Sequence, residues 1–206
     1  MLKIWGRDTS SNVQKVLWMC EELKLNFKRI DAGGPFGGLK DTEFVKLNPH
    51  SKIPVINDDG YILYESHAII RYLNSKYGNN KFCSDKPNEQ AIIDQFMDWV
   101  HTEISTYMIP ILIGLVRTPE EKRNIEKINE NNDKSENLWQ VLDDHLNNYK
   151  WISQNYFSLA DICCGVWVWR RYNLDIRKKD LKNIDKWFEN LKQRDSFKKI
   201  VMKPLS

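Results

Sequence analysis

Arg7-Asp8-Thr9-Ser10-Ser11-Asn12-Val13 stands between two segments of different periodicity. Before it, Leu2-Lys3-Ile4-Trp5 alternates, which predicts a strand. After it, Val13, Val16, Leu17, Cys20 and Leu23 recur at helical spacing, which predicts an amphipathic helix with one buried face. The first N–H groups of such a helix have no internal partners, and the helix dipole adds partial positive charge there. That terminus favours an anion, and a thiolate is one. The same hydroxyls have a plainer use, because Ser10 or Ser11 can cap the helix.

Outward from this turn, Phe27-Lys28-Arg29-Ile30-Asp31 reads as a second strand and Gly33-Gly34-Pro35-Phe36-Gly37-Gly38 as a loop. No phosphate-loop Lys-Ser/Thr follows those glycines and the GxGxxG order is absent, so a phosphate cradle is not expected. A short helix is predicted over 41–47 and a turn over 48–52. Ile53-Pro54-Val55-Ile56 reads as a strand whose proline marks either a sheet edge or a cis peptide in a tight turn. Asn57-Asp58-Asp59-Gly60 predicts a hairpin turn and Tyr61–Tyr64 its partner strand. Ala68, Ile69, Tyr72 and Leu73 give the buried face of a helix ending at Gly78. The order is βαβ, then αββα, a small α/β sandwich.

Residues 79–87 lack periodicity and read as a linker. Beyond them no strand pattern occurs. Ile92, Ile93, Phe96, Met97, Val100 and Ile104 predict one long helix with a kink at Pro110. Thr118-Pro119-Glu120-Glu121 reads as a capping box. Ile125, Ile128, Leu138, Leu142 and Leu146 continue a long helix, whose intervening polar stretch is expected to face water. Ser158-Leu159-Ala160-Asp161 is a second capping box, with Phe157 and Ile162 at the staple positions. The helix it opens is apolar nearly all round over 162–170, so it should be central. A later helix carries Leu181, Ile184, Trp187, Phe188 and Leu191.

Eight Trp, eight Tyr and eight Phe imply an aromatic interior or a ligand cleft. The formal charge of +3 is spread among mixed signs, which gives no nucleic-acid stripe. Cys20, Cys83, Cys163 and Cys164 form no CxxC pair and no Cys/His cluster of zinc spacing, so reduced thiols and no metal are expected. No apolar leader opens the chain, and the longest apolar run, 108–116, is too short to span a bilayer. A soluble, cytoplasmic protein with no membrane partner is the expectation.

Taken together, Ser10-Ser11-Asn12-Val13, Asn48-Pro49 through Lys52-Ile53-Pro54-Val55, Tyr64-Glu65-Ser66-His67-Ala68-Ile69 and Phe157-Ser158-Leu159-Ala160-Asp161-Ile162 resemble the cytosolic glutathione transferase family. The resemblance covers essentially the whole chain. Arg7 with Ser10-x-Asn12-Val13, Asp31-Ala32-Gly33 with Phe36-Gly37, and Gly114 to Pro119 carry a narrower likeness to a bacterial GstB-like subgroup. It implies a thioredoxin-like, glutathione-binding N-terminal domain over 1–80. It also implies an all-α C-terminal domain over 87–206 that supplies a second-substrate pocket.

The resemblance implies a serine-type glutathione S-transferase, cytoplasmic and homodimeric, that detoxifies small electrophiles with glutathione as co-substrate. By it, Ser10 is the thiolate's hydroxyl donor, with Ser11 and Asn12 sharing the role. A hydroxyl that donates to sulfur favours the charged form. Ile53, before Pro54 in cis, would pair the cysteinyl moiety, Lys52 the glycyl carboxylate, Ser66 the γ-glutamyl carboxylate and Glu65 the ligand's amino group, with Phe36 beside them. Trp5, Arg7, Tyr107, Met108, Ile111 and Arg117 are the candidate second-substrate pocket, although core is the favoured reading of Met108 and Ile111. Arg117 would face an anionic group, which suits small haloacids such as bromoacetate. A non-catalytic binding module, or a glutathione-dependent isomerase or peroxidase, stays open.

Overall fold

A computed structural model describes residues 1–206. Strands β1 (Leu2–Trp5), β2 (Phe27–Ile30), β3 (Val55–Asp58) and β4 (Tyr61–Tyr64) form one sheet in the order β2-β1-β3-β4. β1 pairs β2 in parallel, while β1–β3 and β3–β4 are antiparallel. Alternation divides the sheet's side chains. Leu2, Ile4 and Ile56 enter the main core with Val13, Val16 and Leu17 of α1 (Ser11–Glu22) and Ile69, Ile70 and Leu73 of α3 (Ser66–Gly78). Trp5 and Val55 face the other way, onto Phe44 of α2 (Thr42–Leu47).

The Ile53–Pro54 peptide is cis. Pro54 precedes β3, which pairs on both sides, so the edge alternative for this strand is wrong. The missing N–H falls outside the ladder. Pairing reaches Asp58↔Tyr61, which shortens the expected turn to Asp59-Gly60, both at positive φ as a primed two-residue turn requires.

The second half is helical: α4 (Pro87–Trp99), α5 (Ser105–Leu112), α6 (Ile125–His145), α7 (Leu159–Asn173), α8 (Lys182–Lys192) and α9 (Asp195–Ile200). α4 and α5 form one continuous 31-residue helix, Pro87–Arg117, with wider π turns at Val100–Ile104 and Ile113–Arg117. By length and composition alone it could cross a membrane, which the short apolar run did not suggest. Here Ile93, Met97, Val100, Ile104, Met108 and Ile111 set one face of it in the core. Pro110 does not end it; the ring is exposed and only one backbone donor is lost.

Two expectations fail in α6. It starts at Ile125, capped by Asn124, whose side chain accepts from the Lys127 N–H at 2.9 Å. The Thr118 hydroxyl instead donates to the Ile113 carbonyl at 3.0 Å and closes the preceding turn, leaving Glu120–Lys122 a short 3-10 turn. The polar stretch faces water only in part: Asn129, Glu130, Asp133, Lys134 and Asn137 are exposed, but the other face is not. Asn131, Asn132, Ser135 and Glu136 are buried, and Glu136 forms a two-pronged ion pair with Arg171 of α7, at 2.7 Å on each prong.

α7 is buried along most of its length, and its capping box is present. Buried Asp161 also accepts from the Ile152 N–H at 3.1 Å and the Trp187 indole at 2.9 Å. Gly165 lets α1 approach, since a Cβ there would stand 2.8 Å from the Trp18 ring. α9 went unpredicted. It sets Phe197 and Ile200 against the core and, with Arg194 clasping Glu22, locks α1 to the helical half.

Candidate active site at two helix termini

Ser10 is the N-cap residue of α1, yet its hydroxyl makes no capping bond. The plain capping use therefore does not occupy it. Ser11 and Asn12 form the first turn of α1. Glu65 occupies the corresponding place before α3, at φ 69°, a backbone conformation costly for a residue with a side chain. Ser66 is buried as the first residue of α3. The Ser66 hydroxyl donates to Asn12 Oδ1 at 3.4 Å, so the termini of α1 and α3 meet at one place. Both present unpartnered backbone amides and the positive ends of their dipoles. Two anionic groups of one ligand could bind there together.

Lys52 is exposed, and its carbonyl accepts from the Asn48 side chain at 2.8 Å. Ile53 packs over Gly6, where a Cβ would come 3.3 Å from the Ile53 Cβ. Phe36 lies in a 3-10 turn and is 54% exposed.

The six candidates for the second-substrate pocket do not all come together. Met108 and Ile111 are wholly buried core residues, facing inward on the long helix. Tyr107 is half-buried, with Lys134 of α6 5.6 Å from its ring centroid. Trp5 packs on the α2 side of the sheet and lines a cleft of about 400 Å³ with Ile30, Ala32, Asp41, Phe44 and Leu47. Arg117 is exposed rather than buried, and donates to the Ser206 carbonyl at 2.8 Å.

The family model for the glutathione S-transferase N-terminal domain matches residues 5–81, and that for the C-terminal domain residues 100–195. The chain is 36% identical to glutathione S-transferase GstB of Escherichia coli K12, over all of both chains. It belongs to the glutathione S-transferase family. Among solved structures it is similar to a theta class glutathione S-transferase from the citrus canker pathogen Xanthomonas axonopodis pv. citri with glutathione bound. That match has a TM-score of 0.96 at 32% identity and covers 100% of this chain and 99% of that one. The disulfide-bond oxidoreductase YfcG of Escherichia coli K12 is 27% identical over 93% of this chain and 91% of its own.

Within this glutathione S-transferase fold three further candidate residues went unnamed in the sequence. Arg170 of α7 is buried and donates only to uncharged acceptors: the Thr9 carbonyl at 3.0 Å, the Gln14 side chain at 2.9 Å and the Val166 carbonyl at 2.6 Å. Burial, with Arg7 and Arg117 nearby, pushes its pKa down to about 9. Arg7 is likewise lowered by burial and by Arg117, and its Nη1 is buried without a partner. Its side chain lies so close to Gly34 that a Cβ there would stand 2.7 Å from Nε. Three guanidiniums thus converge without an Asp or Glu side chain among their hydrogen-bond partners. The other two residues, Lys15 and His67, lie under the helix termini, where nothing in their spacing announced them.

Proposed function

We propose that the protein is a serine-type glutathione S-transferase that conjugates the glutathione thiolate to small electrophiles. The Asn12–Ser66 contact carries the reading, because it joins two helix N-termini into a single two-anion site. Glutathione offers two matching anions, its γ-glutamyl carboxylate and, once activated, its thiolate. Ser10 is the thiolate's donor: its hydroxyl is uncommitted, whereas Asn12 Oδ1 is already engaged by Lys15 and Ser66. Ser11 is the neighbouring alternative. Ser66 and the α3 amides take the γ-glutamyl carboxylate, Glu65 the amino group, Ile53 and Pro54 the cysteinyl moiety and Lys52 the glycyl carboxylate. Phe36 borders the entrance. Residues 1–80 hold glutathione, and residues 87–206 help to shape the electrophile side.

The convergence of Arg7, Arg117 and Arg170 favours anionic electrophiles, which makes small haloacids such as bromoacetate fitting substrates. No cysteine lies in the 7–13 turn, which disfavours disulfide exchange. A spectrophotometric screen of haloacids and neutral electrophiles with glutathione tests the activity. Conjugation is expected, faster for the acids than for their amides. A folded protein that conjugates none of them would refute the reading.

Two expectations follow. Glu65→Gln and Ser66→Ala act at the remote end of the tripeptide, so they should raise KM for glutathione several-fold with little loss of kcat. Initial-rate kinetics check this, and an unchanged KM with reduced kcat would contradict it. The cytoplasmic detoxifying enzyme should also be a homodimer, for Tyr61 and Tyr77 on the N-terminal part and Ile109 and Ile113 on the long helix stay exposed in the single chain. Light scattering at micromolar concentration should give twice the chain mass; a monomer mass would overturn that assignment.

A further inference from the structure

Beneath the termini of α1 and α3 lies Lys15, only 1% exposed. Its ammonium donates to Asn12 Oδ1 at 3.1 Å and contacts His67 Nε2 at 2.9 Å. Burial, then Lys15, His101 and Arg71, pushes His67 down to about 2, so the ring is neutral. Its Nε2 is then the acceptor and its proton sits on Nδ1. Lys15 therefore rests on two uncharged acceptors. No carboxylate around it makes an ion pair with it, and the anion whose charge reaches it is that of Glu65. From α3 come His67, Arg71 and exposed Glu65, which is not in ion-pair contact; from the adjoining π turn comes His101. From α7 come Arg170 and the thiols Cys163 and Cys164, both kept protonated because burial raises them. A buried ammonium without an anion in contact is costly, and burial accordingly lowers its pKa.

Its position explains why such a cost is retained. Asn12 Oδ1 accepts from both Lys15 and Ser66. At 3.4 Å the Ser66 bond is weak. The Ser66 hydroxyl can turn its proton to an arriving carboxylate without leaving Asn12 Oδ1 bare, because Lys15 still donates to it. We propose that Lys15 is a positioning residue for glutathione: through Asn12 it holds Ser66 ready, and its charge is balanced by the anions that bind at the termini of α1 and α3. This rests on the glutathione site proposed above. It adds that the empty protein carries an unpaired charge whose partner is the co-substrate itself.

Lys15→Met removes the charge and the donor, and Lys15→Gln removes the charge while keeping a donor. In both, the thiol pKa of bound glutathione, followed by thiolate ultraviolet absorbance, should rise by about one unit, as expected for losing a nearby opposite charge. Glutathione affinity should fall roughly tenfold, and the melting temperature of the ligand-free protein should stay level or rise, as when an uncompensated buried charge is removed. A merely structural lysine would give the reverse: a lower melting temperature with the bound-thiol titration unmoved, which overturns the proposal. If neither variant folds, wild-type protein carrying carbon-13 lysine decides. Binding of S-methylglutathione, which has no thiolate, should move the Lys15 titration to higher pH, because coupling between sites is reciprocal. An unmoved titration overturns the proposal. Wild type that binds no glutathione defeats the functional reading and this proposal with it. Wild type that binds, beside folded variants that titrate like it, defeats this proposal alone.

Discussion

Replacing Ser10 with alanine is expected to raise the pKa of the bound glutathione thiol and slow conjugation at neutral pH. A hydrogen bond to a partly desolvated anion contributes on the order of 1.5–3 kcal/mol. Its loss corresponds to roughly one to two pKa units, at about 1.36 kcal/mol per unit. The deficit should shrink as pH rises and the thiolate forms unaided. A helix cap would behave otherwise, losing about 1 kcal/mol of stability with the pH–rate profile in place. The Ser10 hydroxyl makes no capping bond, so the melting temperature should barely move. The profile is measured for Ser10→Ala, Ser11→Ala and Asn12→Ala. A shift confined to Ser11→Ala or Asn12→Ala would reassign the donor. No shift in any of them would leave the work to the backbone amides.

The largest loss of stability is expected from Glu136→Ala. Arg171 is 1% exposed and Glu136 4% on their side chains, and they meet with bidentate geometry at 2.7 Å. Glu136 also accepts from the Lys179 N–H at 2.7 Å, while Arg171 donates to the Lys179 carbonyl at 3.0 Å. Truncating the acid strands a buried guanidinium, at a cost of about 3–5 kcal/mol. Replacing the pair together, Glu136→Leu with Arg171→Met, removes the stranded charge and should recover much of that loss. Urea unfolding curves compare the three proteins. A single variant within about 1 kcal/mol of wild type would show that water reaches the pair, as at an exposed ion pair.

That ion pair also marks where sequence reasoning stopped. Asn131 to Glu136 read as a solvated face because polar side chains on a helix usually are one. Their partners, Arg171 and the Arg177 carbonyl, lie 35 and 45 residues away, beyond any local pattern. The sheet half was legible because its signals are local: alternation in β1 and β4, helical spacing in α1, a proline before β3. α9 was not, since its six residues hold too few turns for a period to show.

The site divided in the same way. Ser10, Glu65 and Ser66 could be assigned to helix termini because such termini announce themselves through hydroxyls and turns. Lys15 could not. α1 is buried on every side from Val13 to Cys20, wedged between α3, α7 and α9, so its charged residue is enclosed as its valines are. Arg170 escaped notice for the same reason on α7. Met108 and Ile111 stood open between pocket and core because an apolar run at the end of a long helix looks alike whether it lines a cleft or fills a core.

Backbone amide chemical shifts recorded while glutathione is added bear most directly on the account, in which two helix N-termini form one glutathione site. The largest shifts should fall on Ser11, Asn12, Ser66 and His67, with Ile53 and Val55 following, and should saturate together with a single binding constant. Saturable shifts confined to other surfaces, or none at millimolar glutathione, would contradict it.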